Sequence, residues 1–340
     1  MAEFVSTFIT GFQSVVAKDL PQRLNGIKII NIFDGLVHYK YTGNSRDLEK
    51  IIYFNNTFFI LKAMDSKKSD AKNAGLKSVD FNYLVNAVAQ EKKYYLINKG
   101  SFRVRFIKEN QFEKVDKKIT AKAEETVLKN SKLKLDRLSP STEIWYCLRS
   151  EGFAFCGQLI SKREFTEKNL NKGELRPELA YLISAFSEIS PHDTILEPFC
   201  GYGSIPVQLS KRFNFAKLLV SDIDSEKIEA LREKKALQKE AVKVSVQDAL
   251  VLPQIDDNSI DMIISDPPWG FYEDIGDICD FYRNMFNSFR RVLKSQGKMI
   301  ILTARTEELK KITTEQNIII EDSLHTLVNG KKASLYKLKF

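Results

Sequence analysis

The segment Asp266-Pro267-Pro268-Trp269-Gly270 constrains this chain most, because it directly follows the apolar run Ile260–Ser265. Proline has no N–H to donate to a strand ladder, so the paired prolines are expected to end a β-strand here. In an open α/β sheet, ligands bind outside the carboxyl ends of the strands. A carboxylate, a peptide carbonyl and a flat ring at such a position predict a ligand site. The alternative is an ordinary turn that closes a strand.

A glycine-rich turn is predicted upstream, after the short apolar run 194–196. Gly201 and Gly203 let the backbone turn sharply and approach a ligand closely. The turn departs from a dinucleotide fingerprint, because Pro206 occupies the place of the third glycine. Asp222 follows Gly203 by 19 residues and ends the next apolar run. This is the spacing at which an acid holds the hydroxyls of a ribose.

Acidic residues end each of four successive predicted strands. Carboxylates only accept hydrogen bonds, and four of them would repel a pyrophosphate. The expected ligand therefore carries positive charge or many donors, as adenosine linked to a sulfonium does. One of Asp222 and Asp224 is also expected to cap the following helix, which is predicted at residues 225–239. The four strand-end acids are Glu197, Asp222, Asp248 and Asp266.

These residues resemble the motifs of class I S-adenosylmethionine (SAM)-dependent methyltransferases. The matching residues are Glu197-x-Phe199-x-Gly201-x-Gly203, Asp222, Asp248-Ala249 and Asp266-Pro267-Pro268-Trp269. The Asp-Pro-Pro-Trp form is similar to that of enzymes that methylate exocyclic amino groups of bases. Glu197 departs from the Asp that is more frequent in the family, and Trp269 from the usual Tyr or Phe.

The resemblance extends over nearly the whole chain. Residues 102–106, 121–128 and 135–144 look like parts of a THUMP RNA-binding domain, and residues 175–177 and 328–333 resemble segments of the catalytic domain. Together these segments resemble the THUMP-domain tRNA guanine-N2 methyltransferases. The resemblance implies SAM as the cofactor and tRNA as the partner, bound near its acceptor stem.

The resemblance also implies a role for each site residue. Asp266 and the Pro267 carbonyl would each accept one N–H of the target amino group, and Trp269 would stack on a flipped base. Asp222 would bind the ribose of SAM, and Asp248 its adenine amino group. The predicted catalytic residues are Asp266, Pro267, Pro268 and Trp269; the predicted cofactor-binding residues are Glu197, Phe199, Gly201, Gly203, Asp222, Asp248, Ala249 and Asp266.

Charge is unevenly distributed along the chain. Residues 1–150 contain 26 Lys and Arg against 16 Asp and Glu, whereas residues 151–340 contain 26 against 28. A basic N-terminal half predicts binding to a polyanion, here the phosphates of folded RNA. The alternative is a soluble, lysine-rich surface. The predicted RNA-binding residues are Arg103, Arg105, Lys117, Lys118, Lys122 and Arg137.

The expected fold class is α/β, in more than one domain, as befits 340 residues. An α+β N-terminal region with a THUMP-like domain would precede a Rossmann-like, seven-stranded methyltransferase domain. A polar linker is expected from residue 65 to residue 72, and the last two strands near residues 318–321 and 334–339. The predicted domains are a ferredoxin-like subdomain at 1–65, the THUMP-like domain at 66–160, a linker at 161–177 and the methyltransferase domain at 178–340.

Several classes of protein are disfavoured by composition. No apolar run approaches the ~20 residues that cross a bilayer, and no charged-then-apolar leader is expected. Four dispersed cysteines and three histidines predict no protein-bound metal, and a reducing cytoplasm is the simpler location. The absence of a Pro-Cys pair disfavours cytosine C5 methylation. The alternatives are a guanine-N2 methyltransferase of rRNA, an adenine-N6 methyltransferase of nucleic acid, and a catalytically inactive RNA-binding protein; an NAD-dependent enzyme is a more distant one.

Overall fold

The computed structural model describes residues 1–65, 79–91, 94–163, 170–271 and 275–340. The chain forms two compact units. The N-terminal unit contains residues 1–8 and 20–164, and the C-terminal unit contains residues 9–19 and 165–340. The predicted linker at 65–72 lies outside the described residues from residue 66 onward, as do residues 164–169 of the predicted linker at 161–177.

The N-terminal unit is built on one sheet, in which nine strands are described. Strand β4 pairs antiparallel with β9, so strands from the predicted regions 1–65 and 66–160 lie in the same sheet. The path is β2-β3-β1-β4-β9-β8-β5-β6, with β7 beside β5. The strands are β1 Ala2–Thr7, β2 Ile27–Phe33, β3 Leu36–Tyr41, β4 Asn56–Asp65, β5 Ser101–Lys108, β6 Gln111–Phe112, β7 Lys134–Leu135, β8 Thr142–Leu148 and β9 Phe153–Lys162.

The helices at Phe81–Ala89 and Lys117–Asn130 contact strands of this sheet. Apolar side chains from the strands themselves form a cluster in which Val5, Phe58 and Phe155 are almost completely buried. The presence of a THUMP domain stays a prediction. The helices that begin in the first 130 residues are α1 Gln13–Arg23, a 3-10 helix at Ser45–Lys50, α2 Phe81–Ala89 and α3 Lys117–Asn130.

The C-terminal unit contains the seven-stranded sheet that the sequence predicts, in the order β12-β11-β10-β13-β14-β16-β15. Neighbours from β12 to β14 are parallel, and β16 runs antiparallel between β14 and β15. The strand order reverses between β10 and β13, which is where ligands bind in such sheets. The strands are β10 Thr194–Glu197, β11 Lys217–Asp222, β12 Val242–Val246, β13 Ile260–Ser265, β14 Leu293–Thr303, β15 Ile319–Val328 and β16 Lys331–Lys339.

The core of this unit lies on the central parallel strands. Leu196, Ile263 and Ile301 are fully buried there, as expected for strands covered on both faces. Helix α7 places Met285 and Phe286 in the same cluster. The helices of this unit are α4 Pro177–Phe186, α5 Ser204–Arg212, α6 Ser225–Arg232, α7 Ile278–Val292 and α8 Thr306–Glu315.

Two boundaries differ from the sequence-based expectation. Helix α6 ends at Arg232, not near residue 239, because the chain then turns and buries Leu237. The last two strands are longer than predicted, since β15 and β16 pair as a hairpin over nearly their whole length. Local apolar patterning marked residues 334–339, which are mostly buried, and residues 318–321, of which only Ile318 is buried.

Candidate active site

The four strand-end acids Glu197, Asp222, Asp248 and Asp266 line one crevice of about 560 Å³. Glu197 and Asp222 are the last residues of β10 and β11, while Asp266 directly follows β13. Because these strands are parallel, their carboxyl ends meet at one edge of the sheet. The acids that the sequence placed at successive strand ends are therefore neighbours in space.

Asp222 holds the glycine turn in place. Its Oδ2 accepts a hydrogen bond from the Gly201 N–H at 2.8 Å, and its Oδ1 accepts one from the Asp224 N–H at 3.0 Å. Asp224 in turn caps α6, as one of the two acids was expected to do. Asp222 is almost buried, yet it lines the crevice. Each of its oxygens keeps a further lone pair for a ligand hydroxyl.

The two glycines of the turn have different surroundings. Both have positive φ, 49° at Gly201 and 85° at Gly203. A Cβ on Gly203 would lie 2.4 Å from Leu231 Cδ2, whereas a Cβ on Gly201 would meet nothing within 4 Å. Gly201 lines the crevice and Gly203 does not. Gly203 therefore allows α5 to pack against α6, and Gly201 borders the ligand space.

Asp248, Ala249 and Phe199 lie where the sequence predicts, along the crevice wall. Asp248 Oδ1 accepts a hydrogen bond from the Leu250 N–H at 2.9 Å, which fixes the turn after β12. Phe199 packs against Phe281 with ring centroids 5.7 Å apart. Phe199 therefore both packs the turn and lines the crevice.

Glu197 is buried at the reversal point of the sheet. Its Oε1 accepts a hydrogen bond from Ser265 Oγ at 2.9 Å. Its Oε2 is buried and has no hydrogen-bond partner among the described residues. Burial raises the pKa of this carboxyl well above its usual value, and the Ser265 hydrogen bond opposes the rise.

Asp266 is the second carboxyl at this point, in a residue of intermediate exposure whose Oδ1 is buried. Burial raises its pKa to about 8, and the nearby Trp269 indole opposes part of the rise. Within the part of the chain that the structure describes, neither Asp266 Oδ1 nor Trp269 Nε1 makes a hydrogen bond of regular geometry. Pro267 and Pro268 line the crevice beside them. Buried polar atoms in folded proteins nearly always have partners, so a cluster of exceptions requires an explanation.

The backbone of the Asp-Pro-Pro-Trp turn is held from the end of β14. Arg305 Nε donates a hydrogen bond to the Trp269 carbonyl at 2.8 Å. The Arg305 N–H itself donates to Thr303 Oγ1 at 2.8 Å, and that hydroxyl also lies 2.7 Å from the Tyr282 hydroxyl. The orientation of the turn therefore depends on residues that the sequence analysis did not select.

Other residues that sequence analysis missed also line the crevice. Ile223 follows Asp222 directly and is 69% exposed, and Phe271 follows the Asp-Pro-Pro-Trp-Gly segment, so proximity in sequence could have identified both. Lys331, at the start of β16, lies in the segment 328–333 that resembles the catalytic domain, but its place at the crevice depends on the pairing of the last strands.

The predicted RNA-binding arginines of β5 have acidic neighbours. Arg103 Nε donates a hydrogen bond to Glu143 on β8 at 2.6 Å, and Arg105 Nε lies 3.8 Å from the same carboxylate. The Arg105 guanidinium also lies over the Phe112 ring, 4.9 Å from its centroid. Both arginines are thus on one face of the sheet, with part of their charge offset by Glu143.

The other predicted RNA-binding residues lie on or beside α3. Lys117 and Lys118 are exposed in its first turn, which Asp116 caps. Lys122 is exposed and donates a hydrogen bond to Asn86 on α2. Arg137 makes a two-point ion pair with Glu124, with its Nε and Nη2 at 2.8 and 2.6 Å from the carboxylate. RNA binding by these residues stays a prediction.

The described ranges contain no cluster of three or more His, Cys, Asp or Glu side chains arranged to hold a metal ion. Among those same residues, no helix is long and apolar enough to span a membrane.

Sequence comparison identifies relatives over the catalytic half. Residues 163–330 match the family model UPF0020, described as an RMKL-like methyltransferase domain. A tRNA (guanine(10)-N2)-dimethyltransferase of Methanothermobacter thermautotrophicus is 27% identical over 205 residues, 56% of this chain and 58% of that protein. The mouse U6 snRNA (guanine-N(2))-methyltransferase THUMPD2 is 28% identical over 50% of this chain and 32% of its own length. The chain thus covers less than two thirds of each of these relatives.

Solved structures share the fold over the whole chain. TrmN from Thermus thermophilus superposes with a TM-score of 0.76 at 18% identity, covering 100% of this chain and 99% of that one. SMU.472, a methyltransferase solved with S-adenosylhomocysteine, gives 0.70 at 16% identity, covering 99% and 98%. Residues 163–330 of this chain match the RMKL-like methyltransferase domain family, and the predicted α/β methyltransferase fold is confirmed.

Proposed function

We propose that this protein transfers a methyl group from SAM to the exocyclic N2 of a guanosine in tRNA. One observation carries the proposal: Glu197 Oε2, Asp266 Oδ1 and Trp269 Nε1 are buried without partners among the described residues that form the crevice. Two unpartnered carboxyl oxygens can each accept a hydrogen bond, so they suit a cofactor and a substrate that both carry N–H donors. An ammonium group and a base amino group are such donors.

The glycine-turn side of the crevice fits SAM. Asp222 has lone pairs available for the ribose hydroxyls, and Glu197 Oε2 is available to accept from the amino group of the methionine part. The open space beside Gly201 allows close approach of a ligand to the backbone. When bound there, SAM supplies a methyl group on a cationic sulfur, a leaving group that needs little assistance.

The Asp-Pro-Pro-Trp side fits the acceptor base. An exocyclic amino nitrogen is a poor nucleophile, because its lone pair is delocalised into the ring. Asp266 Oδ1 and the Pro267 carbonyl would each accept one N–H, which favours a pyramidal nitrogen with its lone pair directed at the methyl group. Trp269 would stack on the base after it has flipped out of the RNA. Positioning of this kind is worth ~7–11 kcal/mol in favourable cases.

The raised pKa of Asp266 adds a second role. A carboxyl whose pKa is about 8 is matched to proton transfer near neutral pH. The nitrogen must lose one proton once the new N–C bond has formed, and Asp266 is the group we place against that proton. Binding of the amino donors would stabilise the ionised carboxylate before transfer.

The choice of guanosine in tRNA is supported by two further observations. Relatives from Methanothermobacter and mouse are named as guanine-N2 methyltransferases, the first of tRNA and the second of U6 snRNA. The N-terminal half carries the excess positive charge expected of a part that binds RNA phosphates. Contact with the acceptor stem remains the finer prediction.

Methyl transfer from labelled SAM to separate tRNA, rRNA and DNA fractions tests the proposal. The nucleic acids come from cells that lack the gene, and the labelled nucleoside is identified by mass spectrometry. We expect N2-methylguanosine in tRNA. N2-methylguanosine in rRNA alone would contradict the partner, and N6-methyladenosine would contradict the acceptor. Binding of SAM without labelling of any fraction would favour an inactive RNA-binding protein.

A further inference from the structure

Two cations share one aromatic ring at the edge of the crevice. Lys331 Nζ lies 3.6 Å from the centroid of the Phe271 ring, and the Arg305 guanidinium carbon lies 4.6 Å from it. Phe271 is 42% exposed, and its ring meets the Trp269 ring edge-on at 6.2 Å. The two cations therefore lie next to the ring that we assign to base stacking.

The three residues come from distant parts of the chain. Phe271 follows β13, Arg305 follows β14, and Lys331 begins β16. Like charges repel, so gathering two of them over one ring has a cost that the negative face of the ring partly offsets. Arg305 also has Glu308 at 3.6 Å, which offsets part of its charge.

The interior of the crevice is acidic. Asp222 and Asp248 line it beside the two carboxyls of raised pKa, so a phosphate would be disfavoured in its depth. A nucleotide whose base enters the crevice must nevertheless leave its phosphate near the opening. Cations beside Trp269 meet this requirement, and lysine and arginine are the usual phosphate-binding side chains.

We propose that Lys331 and Arg305, which both lie over the Phe271 ring, bind a backbone phosphate beside the target nucleotide. This inference rests on the proposed function, and it locates part of RNA recognition in the catalytic unit. Arg305 has a second task, since it also holds the Trp269 carbonyl. Replacement of Arg305 would therefore also disturb the turn, so Lys331 is the residue to test.

Lys331→Ala is compared with Lys332→Ala in the full-length protein. Lys332 is the next residue of β16, is exposed, and does not line the crevice; alternation along the strand directs it to the other face. Both variants remove one charge. We expect Lys331→Ala to raise the KM for tRNA about fivefold or more with kcat within twofold. It should also reduce the slope of log KM against log salt by about 1.

Phe271→Leu serves as the second variant, because it keeps an apolar side chain and removes the ring. It should raise the KM for tRNA by less than Lys331→Ala and leave the affinity for SAM unchanged. If Lys331→Ala and Lys332→Ala have equal KM values for tRNA, the inference is overturned. The proposed function still stands in that case, provided that the wild type methylates tRNA. If the wild type methylates no RNA, the proposed function fails, and filter binding of the same tRNA to both lysine variants still decides the inference: equal affinities overturn it.

Discussion

The two sides of the crevice differ in how their polar atoms are satisfied. On the glycine-turn side, both oxygens of Asp222 accept backbone hydrogen bonds and Asp248 accepts another. On the Asp-Pro-Pro-Trp side, Asp266 Oδ1 and Trp269 Nε1 are buried and lack partners among the described residues. Satisfied groups give a site its shape, whereas unsatisfied buried groups cost free energy that a ligand can recover. Glu197 Oε2 is the exception on the glycine-turn side, since it also lacks a partner among the described residues. With that exception, the comparison divides the crevice into a preformed cofactor side and an acceptor side.

Asp266→Asn should give the largest effect. Its amide cannot take the proton from the methylated nitrogen and presents an N–H where an acceptor is needed. We expect methyl transfer in a single turnover to slow by about 100-fold or more. Rapid-quench measurement with saturating SAM checks this. A rate within fivefold of the wild type would contradict the role of Asp266.

The same variant has a predicted effect on stability. Folding raises the pKa of Asp266 from 3.8 to about 8. Between these values the unfolded chain has lost the proton that the folded protein keeps, so the wild type loses stability relative to Asp266→Asn as the pH rises through this window. Urea denaturation at pH 5 and pH 8 measures the difference. If the wild type does not lose stability relative to Asp266→Asn between pH 5 and pH 8, burial is not the cause of the raised pKa.

The pH dependence of the wild-type reaction should follow the same group. Only the ionised carboxylate can take the proton from the methylated nitrogen, so kcat/KM for RNA should rise about tenfold per pH unit below about 8 and level off above it. Initial rates between pH 6 and pH 9 at constant ionic strength test this. A profile flat from pH 6 upward would show that the free enzyme already holds Asp266 ionised.

Asp222→Asn is the matched change on the cofactor side. The introduced NH2 group faces a backbone N–H and cannot accept from it, so the turn loses one of its hydrogen bonds. We expect a loss of about 1–3 kcal/mol in the free energy of unfolding. Urea denaturation at pH 7 measures it. Unchanged stability would mean that Asp222 does not hold the glycine turn.

The two glycines should give the smallest and most selective effects. Gly203→Ala would press its Cβ on Leu231, and we expect a loss of about 1–3 kcal/mol in stability. Gly201→Ala has open space and should cost about 1 kcal/mol, but its methyl group would enter the ligand space and weaken SAM binding severalfold. Melting curves and SAM titration of both variants separate these results. The reverse order would contradict the assignment of the two glycines.

Local sequence patterns predicted much of the catalytic unit. The acids, the glycine turn and the Asp-Pro-Pro-Trp turn could be placed because parallel strands bring their carboxyl ends to one edge. The cap by Asp224 followed from side-chain chemistry. The missing partners of Glu197 and Asp266 could not be predicted, since burial there depends on how several strands pack together.

Long-range pairing explains what sequence analysis missed. The pairing of β4 with β9 joins residues about a hundred positions apart in one sheet, and no local pattern carries that information. Arg103 and Arg105 alternate on β5 as predicted, but Glu143 on β8 is visible only in the cross-strand register. Arg305 and Lys331 likewise reach Phe271 through the strand order of the second sheet.

The dissociation constant of SAM, measured by calorimetric titration of the wild type, Asp222→Asn and Asp266→Asn, tests the division of the crevice most directly. We predict that Asp222→Asn binds SAM at least tenfold more weakly than the wild type. Asp266→Asn should bind it within threefold of the wild type, because its unpartnered oxygen serves the acceptor base. Equal weakening in both variants would show that the two acids serve one ligand, and would contradict the separation into a cofactor side and an acceptor side.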